Sequence, residues 1–422
     1  MEGTEKKSTL DNGVRIITKN MPHVRSVSMG VWVNVGARDE SPSENGLSHL
    51  IEHMIFKGTG KRTAYQIAKE FDAIGGQTNA FTSFENTCYH ARVMDTQLAN
   101  MAEFHTDIFR SAVFEASEVE KERPVIFQEI SMVEDNPEEF IHVLSSSAFW
   151  GNNPLGRSIL GTRENILAFT SNKIKTFFRR FYQPGHIVVS VAGNIDHASI
   201  VDMLAPAFSK IKTGAAFPQR TTPTGTPQVK LHHRDLEQVQ VCLCAQGISI
   251  KDSRRYPFSL LNTIFGGNMS SRLFQKIRET RGLAYSVYSF VSSFEDTGMF
   301  GAYAGVKPDK VHETVTLMVE EMHNLRSRRV DASELTDAKN YTKGNLLLAA
   351  ESVDNQMVRL AQNEINFDRH IPLEEIIDAI ESVSSEDIIE LAQTIFAENR
   401  IALTTLGPMS DAAHFEKLLY EQ

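Results

Sequence analysis

"QVQVCLCAQGIS" (residues 238–249) reads as a buried strand, and the chain contains a second stretch of the same kind. "SVSMGVWVNVGARDES" (residues 26–41) is equally β-branched and apolar and closes on Gly36. Val239 lies 213 positions after Ser26. Two more pairs keep nearly that interval. "PGHIVVSVAGNI" (184–195) is echoed by "NRIALTTLGP" (399–408), with Ile401 214 positions after Ile187. "ASEVEKER" at Ala116 is echoed by "ASELTDAK" at Ala332, 216 positions on. Three coincident intervals indicate an internal duplication.

The segments between these anchors repeat in order. In the first half a helical pattern runs from about residue 46 to 56. "TAYQIAKEFDAIGG" follows, with Thr63 as N-cap and a stop at Gly75 and Gly76. "QTNAFTSFENTCYHARV" (77–93) alternates as two strands around a turn near residues 83–86. In the second half "PFSLLNTIFGGNMSSRLFQKIRE" (257–279) is mostly helical. "LAYSVYSFVSSFEDTGMFGAYAGV" (283–306) gives two strands around a turn near 295–298. Residues 212–228, rich in Gly, Pro and Thr, read as a linker. The expected fold is α+β: two homologous sandwich-like domains, each a mostly antiparallel sheet flanked by helices, in a clam-shell arrangement. Their expected bounds are residues 1–211 and 229–422.

Bulk properties narrow the function. The 422 residues carry a net charge of −10 and no dense basic block, which argues against nucleic-acid binding. No apolar run reaches eighteen residues, so no membrane insertion is expected, and the N-terminus lacks a secretory h-region. Cys88, Cys242 and Cys244 are too sparse for a disulfide framework and suit a reducing compartment. A cytoplasmic location follows as an expectation. Cys242 and Cys244, two apart on one strand face, read as small buried apolar residues.

The chemistry concentrates in "GLSHLIEHMIFKGT" (46–59). On a helix, His49 and His53 lie one turn apart on one face and can aim at one ion. Glu52 stands beside the second histidine, placed to address a water rather than the metal. Catalytic zinc needs three protein ligands and an open position, so two histidines are not enough. The pentapeptide alone admits both a metal site and an ordinary solvated face. A third donor can come from "SEVEKERPVIFQEISMVEDNPEE" (117–139), which carries Glu118, Glu120, Glu122 and Glu129. Pro124 there either breaks the helical pattern or opens a new turn. Glu122 and Glu129 are seven apart and share a face. Glu129 sits among Val125, Ile126, Phe127 and Ile130, where an unpartnered carboxylate is costly and a cation is one remedy.

With these motifs in view, the chain resembles the pitrilysin and mitochondrial processing peptidase family of inverted (HxxEH) zinc metallopeptidases, as a small two-domain, bacterial-type member. Residues 46–59 match the family's zinc helix, 75–89 its following strand pair, and 149–162 a loop near its active site. Seventy-five residues separate His53 from Glu129, the family's interval to its third ligand, and Glu122 stands at its preceding glutamate. Arg278 and Tyr285 are spaced as its Arg and Tyr pair.

The resemblance implies one Zn²⁺ per chain on His49, His53 and Glu129, although these donors also suit Mn²⁺ and Co²⁺. It implies Glu52 as general base, Glu122 orienting a ligand histidine through its free ring N–H, and Tyr285 and Arg278 contacting substrate. Peptide or unfolded substrate would add as a strand beside Asn79, Ala80 and Phe81. Two such chains would associate, as a homodimer or with a related subunit. At the duplication intervals His49, Glu52, His53 and Glu129 fall on Asn262, Phe265, Gly266 and Asn345, so metal is expected in the first domain alone. A non-catalytic scaffold of the same fold is the competing reading.

Overall fold

The computed structural model describes residues 4–214, 217 and 219–421. Residues 215, 216 and 218, within the expected linker, lie outside the described residues. The first half contributes strands β1 (Glu5–Thr9), β2 (Arg15–Asn20) and β3 (Ser26–Val33), then helices α1 (Leu47–Met54) and α2 (Ala64–Ala73). Strands β4 (Gln77–Thr82) and β5 (Thr87–Met94) follow, then α3 (Leu98–Ser111), α4 (Ala116–Asp135), α5 (Pro137–Trp150), α6 (Arg163–Ala168) and α7 (Ser171–Phe181). Strand β6 (Ile187–Gly193) and helix α8 (His197–Phe208) complete it.

The second half begins with β7 (Val229–His233), β8 (Val239–Gly247) and α9 (Arg255–Phe265), followed by a π-helical turn at Phe274–Glu279. It continues with β9 (Ala284–Ser293), β10 (Gly298–Val306), α10 (Val311–Ser327), α11 (Ala332–Ala350) and α12 (Val353–Phe367). Helices α13 (Leu373–Ser382) and α14 (Ser385–Ile395), strand β11 (Ala402–Gly407) and helix α15 (Ala413–Tyr420) close the chain.

The duplication is plain in the sheets. One runs β1-β2-β6-β3-β5-β4 and the other β7-β11-β8-β10-β9. Without β1, the two orders correspond strand for strand. Pairing is antiparallel throughout except β2 with β6 and β7 with β11. The inner strands β6 and β10 are buried at every position, so they read as continuous apolar runs rather than alternating ones.

The chain forms two compact units that do not follow the sequence halves. One comprises residues 1–131, 158–220 and 347–370; the other comprises 132–157, 221–346 and 371–422. Helices α5 and α12, each the third long helix after its strand pair, are thereby exchanged. Helix α5 packs on β8 and β11, and α12 packs on β2, β3 and β6. In the first unit Val353, Met357, Leu360 and Ala361 of α12 join Trp32, Val188 and Ala192 in one buried cluster. Gly30 makes this approach possible, because a Cβ there would stand 2.5 Å from Met357 Sδ. The sheet's other face carries the larger core, to which α1, α3, α7 and α8 contribute.

Helix α4 runs unbroken through Pro124. The sequence offered a break or a new turn there. Buried Val119, Ile126 and Ile130 anchor the helix on both sides of the proline, which offsets the missing N–H. The continuity keeps Glu122 and Glu129 on one face.

Candidate metal centre

Helix α1 is fixed at its N-terminus by tight backbone packing and a buried acid. Gly46 has φ +101° and Gly161 φ +77°, both in the left-handed region, and a Cβ on Gly46 would lie 2.9 Å from Gly161 Cα. Glu40, buried, accepts from the backbone N–H of Gly46 (2.8 Å) and Ser48 (2.6 Å) and from Asn45 Nδ2 (3.1 Å). These bonds satisfy donors that a helix start leaves open. Burial pushes the Glu40 carboxyl up to about 7 against them.

His49 and His53 then stand one turn apart, with ring centroids 4.6 Å from each other. Glu129 Oε2 lies 3.5 Å from His49 Nε2 and 3.5 Å from His53 Nε2. One donor atom from each residue falls within 4.8 Å of the other two, the one such group among the described residues. Two ligands ~2.1 Å from one tetrahedral ion stand ~3.4 Å apart, close to the separations seen here. Glu129 Oε2 is buried and accepts no hydrogen bond, and His49 Nδ1 is likewise unbonded. A buried carboxylate oxygen without a donor is costly, and a cation among the three residues would satisfy it. The donor set therefore fits a divalent metal with an open coordination position.

Surrounding groups prepare the donors. His53 Nδ1 donates to Glu122 Oε1 at 2.8 Å, leaving Nε2 for a metal. Lys57 Nζ pairs with the other Glu122 oxygen at 2.6 Å. Burial opposes a charged Glu122, yet the His53 bond and Lys57 hold its pKa below the usual value. Burial, with the His53 charge adding to it, pulls His49 down to about 4, so its ring is neutral and available as a ligand. Burial also works against the charged form of His53. There the Glu122 bond and the carboxylates of Glu129, Glu122 and Glu52 prevail, and the pKa rises. Glu52 is pushed up by burial, and its Oε2 accepts from Thr82 Oγ1 at 2.6 Å.

A cleft of about 310 Å³ opens here, lined by Glu52, His53, Phe56, Lys57, Glu122 and residues 78–80 of β4. Among the described residues, strand β4 is the edge of its sheet, paired with β5 alone. Asn79 and Ala80 face the cleft, and Asn79 Oδ1 accepts from the Ala80 N–H at 2.9 Å. Phe81 does not join them. Its ring packs edge-on against Trp32 at 5.5 Å, on the face that α12 covers, whereas Ala80 packs into the core on the α1 side. Strand alternation forces that split.

Arg278 and Tyr285 belong to the second unit. The Arg278 guanidinium lies 4.9 Å from the Tyr285 ring centre and 4.7 Å from that of Phe274, and Tyr285 is 80% exposed. They form a stacked pair at the π-helical turn. Cys242 and Cys244 are buried, with sulfurs 3.8 Å apart on one strand face. Glu40, Lys57 and Thr82 were not singled out from the sequence. Lys57 lies four residues after His53, one helical turn, and that spacing was the one available signal; Glu40 and Thr82 carried none.

Comparison with known proteins adds the following. Residues 15–163 match the family model described as "Insulinase (Peptidase family M16)", and residues 168–342 match "Peptidase M16 inactive domain". An uncharacterised zinc protease of Streptomyces coelicolor is 39% identical over 417 residues, covering 97% of this chain and 91% of its own. The uncharacterised zinc protease YmxG of Bacillus subtilis is 39% identical over 409 residues, covering 96% and 98%. A protease from Helicobacter pylori superposes with a TM-score of 0.91 at 21% identity, covering 97% of this chain and all of that one. A peptidase M16 inactive domain from Pseudomonas fluorescens gives 0.89 at 17%, covering 96% and 99%. These two share the fold. No helix among the described residues is long and apolar enough to cross a membrane.

Proposed function

The chain belongs to peptidase family M16, the pitrilysin-type family its motifs resemble, and from that premise we propose that it is a zinc-dependent endopeptidase acting on peptides and extended segments of unfolded protein. The observation that carries the reading is the unbonded, buried Glu129 Oε2 held 3.5 Å from both histidine Nε2 atoms. The names of the relatives, zinc proteases, support zinc as the metal, one per chain on His49, His53 and Glu129.

Zinc bound there would polarise the scissile carbonyl and bring the pKa of water toward neutrality. Glu52 takes the proton of the attacking water and passes it to the leaving amine. Glu122 fixes the His53 ring through Nδ1 and keeps Nε2 directed at Glu129's oxygen. The free edge of β4 offers backbone groups at Asn79 and Ala80 to an extended peptide. Phe81, facing the other way, contributes through strand packing. By the family resemblance, Tyr285 would donate to the developing oxyanion and Arg278 would anchor a substrate carbonyl or carboxylate. Association of two chains, alike or related, and a cytoplasmic location complete the proposal.

Glu52→Gln tests it. The variant should keep stoichiometric zinc and lose cleavage of an unstructured, internally quenched peptide by at least ~100-fold. Cleavage at the wild-type rate would refute the assignment of the base.

A further inference from the structure

Thr82 does not belong to the metal set, yet its hydroxyl hydrogen-bonds the proposed base. Its Oγ1 donates to Glu52 Oε2 at 2.6 Å, and among the described residues Glu52 Oε1 takes no hydrogen bond. A carboxylate torsion is broad and two-fold when unrestrained, so a half-buried Glu52 needs a partner to hold one orientation. A charge-assisted bond of this length supplies one.

Thr82 is itself held on both sides. It is the last residue of β4, in register with Thr87 of β5, and the Thr87 hydroxyl donates to the Val35 carbonyl at 3.0 Å. The turn that follows is closed by Ser83 N–H to the Asn86 carbonyl at 2.7 Å. Backbone N–H groups of Ala37 and Arg38 clamp it at the Ser83 and Phe84 carbonyls, 3.1 and 2.8 Å. Gly36 lies so close that a Cβ would stand 2.3 Å from the Ser83 oxygen. A backbone strut thus runs from residues 36–38 through the turn to the hydroxyl that meets Glu52.

Resting on the endopeptidase reading, we infer that Thr82 is a positioning residue for Glu52. Its hydroxyl occupies one carboxylate oxygen and leaves the other to receive the proton of the attacking water. Because Thr82 ends the edge strand proposed to pair with substrate, the orientation of the base is tied to the strand that takes the peptide.

Thr82→Val keeps the branched shape and strand preference while deleting the hydroxyl. With an unstructured, internally quenched peptide, kcat should fall about 10- to 100-fold, the usual worth of a hydrogen bond to a charged group, with KM within about twofold. Zinc affinity, read by competition against a chromogenic chelator, should match wild type. Thr82→Ser should restore kcat to within about threefold, and Thr82→Val should add nothing to Glu52→Gln. Three results would overturn the inference: a Val variant with wild-type kcat, a Val variant with weakened zinc binding that Ser does not rescue, or a full further loss in the Glu52→Gln background. A wild-type chain without activity, or a fully active Glu52→Gln, would instead sink the endopeptidase reading, and this inference with it.

Discussion

The first unit's sheet and the second unit's sheet have one strand order, yet their helices at the corresponding place do opposite things. Helix α1 presents His49, Glu52 and His53 beside a cleft. At the matching interval α9 ends in Asn262 and Phe265, followed by Gly266. Phe265 is fully buried, 5.5 Å from the Phe300 ring and 5.6 Å from Phe396. Gly266 leaves no room for a histidine, since a Cβ would stand 2.6 Å from the Ser289 nitrogen. Glu122 and Glu129 of α4 correspond to Ala338 and Asn345 of α11, and Ala338 is buried in the second core. One fold was kept twice, while in the second copy the positions of Glu52 and Glu122 became packing and that of Glu129 became the exposed Asn345. The candidate donors are thus separable from the architecture, and the fold alone would not reveal them.

The widest separation of the two copies comes from paired substitutions. Glu129→Gln should abolish stoichiometric zinc, by metal analysis, and reduce peptide cleavage to background. Asn345→Ala, its counterpart, should leave both within about twofold. Equal effects of the two would break the comparison. Glu122→Ala should weaken zinc by about 10- to 100-fold, the usual cost of losing a histidine's outer partner, measured by chelator competition.

The pH dependence sharpens the same point. In the metal-free chain the His53 pKa is raised, so at low pH zinc must displace a proton from its ring. Zinc affinity should rise about tenfold per pH unit below that pKa and level off above it. His49, pulled down to about 4, adds no slope near neutrality. In Glu122→Ala the levelling point should move to lower pH, because the bond that opposes burial at His53 is gone. Titrations of zinc affinity between pH 5.5 and 8 read both outcomes.

The smallest effect concerns the start of α1. Gly46→Ala forces a side chain into the left-handed region against Gly161, at a cost of about 1–3 kcal/mol. Urea unfolding should show that loss. No change would mean that the contact between residues 46 and 161 yields easily.

Much of this was legible from residues alone. Strand anchors at nearly equal intervals announced the duplication, because β-branched apolar runs survive as patterns even where the residues differ. The resemblance implied that Glu122 orients one of the two histidines; which one was not legible, and in the structure the partner is His53. Nor was the exchange of α5 and α12 legible, since a helix's periodicity shows which face is apolar but not which sheet will cover it. Thr82 and Glu40 were also hidden, because a threonine at a strand end and an acid in a loop look like ordinary solvated residues. Phe81 could have been placed by alternation: with Ala80 and Thr82 on the α1 side, its ring had to lie opposite.

The central claim is that one copy of the duplicated fold holds a metal and the other does not. Zinc content of the chain purified without chelator tests it most directly. One zinc per chain, lost in His53→Ala and retained in Asn262→Ala, is the predicted result. No zinc, two zinc ions per chain, or full zinc in His53→Ala would contradict it.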